Sequence, residues 1–325
     1  MQERIVSANE AGQRLDKLLA KYMKLAPQSF FYKMLRKKNI TLNGKKAVGA
    51  EKVNTGDVIR LFLSDETIDK FTEQTSRQSI RLPGASIKPN IVYEDKHILL
   101  LNKPVGMLSQ KAKDTDVSAV EYLISYLLES GQVSEEELRT FHPAVCNRLD
   151  RNTSGLLAAG KSLAGLQELS RFFKERSIEK YYLCLVSGMV NAEQTVDGWL
   201  LKDEKTNKVR IEREETPGST RIETAYHPLK YTKEVSLLEV HLITGKTHQI
   251  RAHLASQGHP IIGDYKYGNR TVNAYYRDRF GLKSQLLHAY RVVMPHTQGV
   301  LSYLSGRTFT AEPPILFQKI CKETF

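Results

Sequence analysis

In residues 145–161, VCNRLDRNTSGLLAAGK, a single carboxylate, Asp150, stands between Arg148 and Arg151 and is followed by the small polar run Thr153-Ser154-Gly155. Cations on either side favour the charged form of a carboxyl group. A charged carboxylate can attack an electrophilic carbon or accept a hydrogen bond from a sugar hydroxyl. Thr, Ser and Gly in succession suit a tight loop whose backbone passes close to a substrate. Taken alone, an aspartate between arginines is a surface ion pair worth about 0–1 kcal/mol, so the chemistry needs partners elsewhere in the chain.

Two distant segments supply complementary groups. Residues 179–188, EKYYLCLVSG, place Lys180 two positions before Tyr182 in a strand-like run. Residues 242–268, LITGKTHQIRAHLASQGHPIIGDYKYG, predict a helix starting near Lys246. Ile250 and Leu254 would face the core, His248 and Arg251 would share another side, and Gly258 would close the helix in the left-handed conformation. The spacing of His248, His253 and His259 matches no zinc motif, so no metal is expected. One motif carboxylate rather than a pair disfavours glycoside hydrolysis. Ser154 lies outside any G-x-S-x-G elbow, which leaves serine hydrolase chemistry unsupported.

The elements that must position these groups fall into two parts. Leu15, Leu18, Leu19 and Tyr22 recur at helical spacing, with Arg14, Lys17 and Lys21 off the stripe. A second helix is expected from about Gln28 to Lys38, with Phe30, Phe31, Met34 and Leu35 apolar and Lys33, Arg36, Lys37 and Lys38 on its other side and C-terminal end. Residues 40–42 read as a strand, Asn43-Gly44 as a turn, and residues 58–63 as a closing strand. Residues 1–63 carry 13 Lys and Arg against 5 Asp and Glu. Residues 66–88, poor in apolar side chains and without period, read as a linker.

The main body, 89–325, opens with strands at 90–95 and 98–102. Helices are expected at 117–129 and at 163–174, the second with Leu163, Leu166, Leu169 and Phe173 on one face. A strand follows at 179–186, and residues 197–241 read as strands and turns. Strands and helices mixed without regular βαβ alternation predict an α+β fold rather than a doubly wound sheet.

The chain has 325 residues and a net charge of +12, which favours a polyanionic partner. No stretch approaches the length of a membrane-spanning helix, and the first residues carry no secretory apolar region. Cys146, Cys184 and Cys321 are scattered, as expected of reduced thiols in a cytoplasmic protein.

The run Arg-Leu-Asp, two residues, Thr-Ser-Gly-Leu-Leu resembles the catalytic signature of the RluA-type pseudouridine synthases, which isomerise uridine in structured RNA. IVYEDKHILLLNKPVGMLSQ, the K-x-Y of Lys180 to Tyr182, and residues 242–268 resemble further motifs of that family. Together they span most of residues 90–268. Residues 12–63, two helices with a basic side followed by ITLNGK and TGDVIRLFL, resemble an S4 RNA-binding domain, here placed at residues 1–65.

The resemblance implies a mixed, mostly antiparallel central sheet with flanking helices, preceded by a small α/β S4-like domain. It implies Asp150 as the catalytic carboxylate, either attacking C1′ or removing the 2′ hydrogen. Arg251 would pair with that aspartate, and Tyr182 would stack on the flipped base with its phenol as candidate for the C5 proton transfer. Arg148, Thr153, Ser154, Lys180, Lys246, His248 and Gln249, with Arg14, Lys33, Arg36 and Lys37 of the basic module, would contact RNA. The isomerisation gains and loses no atoms, so no cofactor is expected. The partner is expected to be RNA, large-subunit ribosomal RNA ahead of transfer RNA, with no membrane, and the chain to act as a monomer. A rival reading keeps the fold as a non-catalytic RNA-binding or ribosome-assembly protein. Two positions depart from the family pattern: Asn147 stands where His is common before Arg-Leu-Asp, and Lys246 where Arg is common before Thr-His-Gln. An amide cannot titrate, and an ammonium lacks the bidentate fork of arginine.

Overall fold

The protein, described by a computed structural model over residues 1–72, 90–113, 115–203, 206 and 208–325, begins with a unit that has its own apolar core. Strand β1 (Gln2–Ile5) is followed by helices α1 (Leu15–Tyr22) and α2 (Gln28–Arg36), strands β2 (Ile40–Leu42), β3 (Lys45–Lys46) and β4 (Val58–Leu61), and helix α3 (Asp65–Phe71). The four strands pair in the order β1-β4-β2-β3. Asn43 and Gly44 both adopt positive φ in the β2–β3 hairpin, as a two-residue turn matched to strand twist requires. Leu15, Leu18, Leu19 and Tyr22 of α1 pack with Phe31 and Leu35 of α2 onto Ile40, Ile59 and Leu61 of the sheet.

Helix α3 corrects the linker expected from residue 66. Ser64 caps it by accepting from the Thr67 amide, Asp65 and Glu66 suit its N-terminal dipole, and Ile68 and Phe71 join the N-terminal core. Two apolar residues in a polar heptad are too few to raise a periodic signal, yet they suffice to seat two turns of helix. Residues 73–88 of the expected linker lie outside the described residues.

The main body is built on one large sheet. Its elements are β5 (Asn90–Glu94), β6 (Ile98–Lys103), α4 (Ala119–Glu129), β7 (Ala144–Val145), β8 (Ser154–Gly160), α5 (Leu163–Glu175), β9 (Glu179–Ser187), β10 (Gln194–Asp203), β11 (Lys208–Glu212), β12 (Thr220–Tyr231), β13 (Val235–His241), α6 (Gln249–Ser256), α7 (Arg270–Phe280), β14 (Leu287–Val293), β15 (Thr308–Thr310) and α8 (Ile315–Thr324). Strand order is β11-β10-β12-β13-β9-β14-β8-β6-β5, with β15 beside β14 and β7 beside β8. Among the described strands, β14 with β8 is the parallel pair and the others run antiparallel. The mixed, mostly antiparallel α+β sheet is as expected.

Apolar runs at the sheet centre serve two cores by the two-residue alternation of a strand. Leu99 and Leu101 of β6 with Leu157 and Ala159 of β8 face one core, where α4 and α6 pack. Ile98, Leu100, Leu156 and Ala158 face the other, closed by Leu169 and Phe172 of α5 and by Phe309. On α5 the fully seated aromatic is Phe172; Phe173, expected inward, is only partly buried.

Gly155 sits where the sheet is tightest. Its φ is +111°, and a Cβ there would collide with the backbone of Ala289 across the β8–β14 pairing. The close approach expected of this glycine is therefore to a neighbouring strand rather than to substrate. Gly155→Ala should lower stability by roughly 2–4 kcal/mol, measured by denaturant unfolding; a variant as stable as the parent would show that β8 and β14 can part without cost.

Candidate functional site

Asp150 stands in the loop from β7 to β8, and this loop is pinned from beneath. Ser109 Oγ donates to the Leu149 carbonyl at 2.9 Å and accepts from the Leu149 amide at 2.9 Å. The Thr153 amide donates to the Asp150 carbonyl at 3.0 Å, and the Gly106 amide to the Arg151 carbonyl at 2.9 Å. Lys103, at the end of β6 and wholly buried, donates to the carbonyls of Met107 (2.8 Å), Pro104 (3.1 Å) and Arg151 (3.1 Å). Every N–H of that ammonium is thus spent on backbone, tying the loop after β6 to the loop that carries Asp150.

The cation that meets Asp150 comes from α6. Arg251 Nη1 lies 2.7 Å from Asp150 Oδ2, while its Nε and Nη2 grip Asp264 Oδ2 and Oδ1 at 2.7 and 2.9 Å. Arg148 and Arg151, expected to flank the carboxylate, make no ion pair with it; both are exposed. Side chains adjacent in a loop diverge, so sequence neighbours of a carboxylate need not be its partners. Asp264 is completely buried and also accepts from the amides of Lys266 (2.8 Å) and Tyr267 (3.2 Å). Burial alone would raise its pKa, but the hydrogen bonds and charge of Arg251 outweigh that and hold it below the ordinary carboxyl value. For Arg251, burial works against the charge, and the two carboxylates more than offset it, so the guanidinium is a permanent cation.

His248 does not lie on the helix as expected. It adopts φ 54°, ψ 16° ahead of α6, which begins at Gln249. From there its Nδ1 lies 2.9 Å from Tyr267 Oη and its Nε2 3.8 Å from Asp150 Oδ2. Burial lowers its pKa, with the charge of Asp150 pulling the other way. Tyr182, on β9, is buried between the Ala289 and Val240 backbones of neighbouring strands. Burial, then the charge of Asp150, push its phenol far above the ordinary value, so it is a neutral phenol at any physiological pH.

Asp150, Tyr182 and Arg251 line one cavity of about 930 Å³. Arg148, Thr153, Lys180, Lys246, His248 and Gln249 also border it, together with Lys111, Arg151, Lys174, Arg176 and Lys202. Among the described residues of that lining Asp150 is the one acidic side chain, so they form a cationic groove with a single anionic point at its floor. A smaller cavity of about 310 Å³, bordered by Gln2, Tyr22, Glu136 and Arg139 among others, lies elsewhere.

Several expected contacts lie outside the groove or turn away from it. Ser154 Oγ bonds His288 Nδ1 at 2.9 Å inside the protein, and Ser154 is buried. Gln249 borders the cavity, but its amide is spent on Thr244, Thr224, the Glu223 carbonyl and the Lys246 amide, so it shapes the loop rather than presenting a donor. Arg14 pairs with Asp16 at 2.8 Å, Lys33 and Arg36 are exposed on α2 and Lys37 just past its end; none of the four borders the groove. Asn147 explains one departure from the family pattern: its Nδ2 donates to the Leu156 carbonyl (3.2 Å) and its Oδ1 accepts from the Ala158 amide (2.8 Å). The amide imitates a strand residue, needing one donor and one acceptor and no titration.

Reading the sequence missed Lys103 and Asp264. Asp264 lies within the segment 242–268, where a carboxylate directly after the apolar Pro-Ile-Ile-Gly was the available signal. For Lys103 no signal separates a buried lysine from one that snorkels.

Residues 97–256 match the family described as RNA pseudouridylate synthase. The chain is 33% identical to the ribosomal large subunit pseudouridine synthase C of Vibrio cholerae over 90% of its own length and 88% of the relative's. Identity to the Escherichia coli protein of the same name is 32%, with the same coverage. Among solved structures, human RNA pseudouridylate synthase domain containing 4 superposes with a TM-score of 0.56 at 21% identity, covering 70% of this chain and 90% of that one.

Burial lowers the pKa of Lys103 to about 7, with the charge of Asp150 opposing the shift. An unfolded lysine keeps its proton to about pH 10.4. Between those values the unfolded chain binds more protons, so this group makes the protein more stable as pH rises from 7 towards 10. Relative to Lys103→Met, the parent should gain stability across that window in denaturant titrations at several pH values. A constant difference between the two would mean that Lys103 keeps its proton throughout.

Proposed function

The chain belongs to the RNA pseudouridylate synthase family, as an RluA-type enzyme that isomerises uridine in RNA, and from that premise we propose that its substrate is large-subunit ribosomal RNA and Asp150 its catalytic carboxylate. The observation that carries the assignment of Asp150 is its 2.7 Å pair with Arg251 at the floor of an otherwise cationic groove. Cationic walls draw in the polyanion, while the paired carboxylate remains a reactive point that phosphates leave exposed.

The uridine leaves its stack to reach this floor. Asp150 acts at the ribose, either by attack on C1′, from which C5 later displaces it, or by removal of the 2′ hydrogen, which it returns to C2′ at the end; the N1–C1′ bond breaks, the uracil turns, and C5 bonds to C1′. N1 gains a proton, C5 loses one, and the product is an isomer. Arg251, anchored from behind by Asp264, holds the Asp150 carboxylate in one orientation through both bond changes. Tyr182 offers its ring for stacking and its hydroxyl as a neutral hydrogen-bonding group. It relays the C5 proton only by passing on its own at the same moment, because it is no phenolate. His248 and Thr153 lie near the carboxylate, and Lys246 and Arg148 take phosphates.

Support for ribosomal RNA comes from the two curated bacterial relatives, each named for the large subunit, and from the basic unit at the N-terminus. That unit, S4-like in its helix pair and hairpin, holds RNA by its exposed Lys33, Arg36 and Lys37 while the groove does the chemistry. The enzyme works as a cytoplasmic monomer and needs no cofactor.

Asp150→Ala should reduce pseudouridine formation on unmodified large-subunit ribosomal RNA on the order of 10³-fold or more, with RNA affinity largely kept. Surviving activity would remove Asp150 from the mechanism. Pseudouridine maps of total RNA from cells with and without the protein identify the target, and a loss confined to transfer RNA would overturn the ribosomal assignment. Removing residues 1–72, a cut placed beyond α3 so that the N-terminal core is taken whole, should weaken RNA binding and flatten its salt dependence. An unchanged salt slope in filter-binding assays would make that unit a bystander.

A further inference from the structure

We propose that Lys180 and Arg176, where α5 turns into β9, form an anion pocket for one backbone phosphate beside the uridine being isomerised. The inference rests on the groove being an RNA site, and it assigns one end of that groove a separate task. Three lysines are buried among the described residues: Lys103, Lys161 and Lys180. Lys103 is fully engaged by three carbonyls, and Lys161 is held by Glu94, Gln132 and the Asp95 carbonyl. Lys180 is 9% exposed, and among the described residues its ammonium has neither a carboxylate nor a carbonyl partner.

Lys180 is thus buried along its stem while its ammonium opens to the groove, and there the surroundings add repulsion. Burial first, and then the charge of Arg176, lower the pKa of Lys180. Arg176 and Arg148 are exposed, border the same cavity as Lys180, and make no ion pair among the described residues. Asp150, the acid among the described lining residues, is already engaged by Arg251. Among the described residues the fold therefore gathers positive charge without ion-pair partners at one end of the groove, a place that an anion from outside would complete.

Position says which anion. Lys180 and Tyr182 project to the same side of β9, roughly 6–7 Å apart, the scale that separates a base from the phosphate of its own nucleotide. A phosphodiester offers two unshared oxygens, suited to a point-charge ammonium on one and a guanidinium fork on the other. With the uracil against Tyr182 and a flanking phosphate on Lys180, the ribose is delivered over Asp150.

The test uses the full-length protein and an unmodified large-subunit ribosomal RNA transcript, with Lys180→Gln, Arg176→Gln and Lys180→Arg beside the parent. Pseudouridine formation is followed against RNA concentration, and RNA affinity is measured separately by filter binding over a range of salt. Lys180→Gln should raise KM about tenfold or more with little change in kcat. It should also make the slope of log affinity against log salt shallower by about 0.7, the share of one phosphate on a single strand. Arg176→Gln should act in the same sense, and Lys180→Arg should restore most of the affinity and slope. An unchanged salt slope, or a loss that falls on kcat and melting temperature and is equal in Lys180→Gln and Lys180→Arg, overturns the pocket. If the parent itself makes no pseudouridine, the functional reading fails instead, and the binding measurements still decide whether Lys180 holds a phosphate.

Discussion

A single guanidinium organises the site. Arg251 spends two of its nitrogens on Asp264 and a third on Asp150, so one planar group fixes the distance and angle between a buried carboxylate and a working one. The two ends of this arrangement differ in solvent access. Asp264 is entirely sealed, whereas the Asp150 side chain keeps about a quarter of its surface open to the groove. Buried ion pairs are seldom a net source of stability. This one is better understood as a means of holding a charge at a reactive place without letting it collapse onto the nearest lysine.

The remaining contacts serve that geometry from other parts of the chain. Lys103 joins the segment after β6 to the Asp150 loop, Ser109 clamps the same loop at Leu149, and Asn147 completes the strand leading into it. Each uses backbone groups that would otherwise be buried without partners, so precision and hydrogen-bond satisfaction are achieved together.

The fold was largely legible because its signals are local. Alternation in Ile98–Lys103 and Ser154–Gly160, the helical stripe of Leu15 to Tyr22, and the Asn43-Gly44 turn each express geometry within a few residues. Asp150, Tyr182 and Arg251 were legible through motif resemblance, and the structure brings all three to one cavity. What could not be read depends on non-local packing. Ser154 sits in the most conspicuous motif yet points at His288, 134 positions away, and Arg148 and Arg151 adjoin Asp150 in the chain yet make no ion pair with it. The helix at Asp65–Phe71 was hidden for a related reason, since its stability comes from Ile68 and Phe71 docking on a core assembled from earlier residues.

The parallel pairing of β8 with β14 has a consequence for how the molecule is made. The strand that follows the Asp150 loop lies against a partner that emerges more than a hundred residues later, and Gly155 allows that contact to be intimate. During synthesis the amino-terminal unit can settle early on its own core. The loop can reach its final seat only when β14 arrives, because closing so long a segment must precede the contacts that reward it. Competence for chemistry is thus delayed until β14 has been made, and a nascent chain carries its RNA-attracting charge well before it can alter any nucleotide.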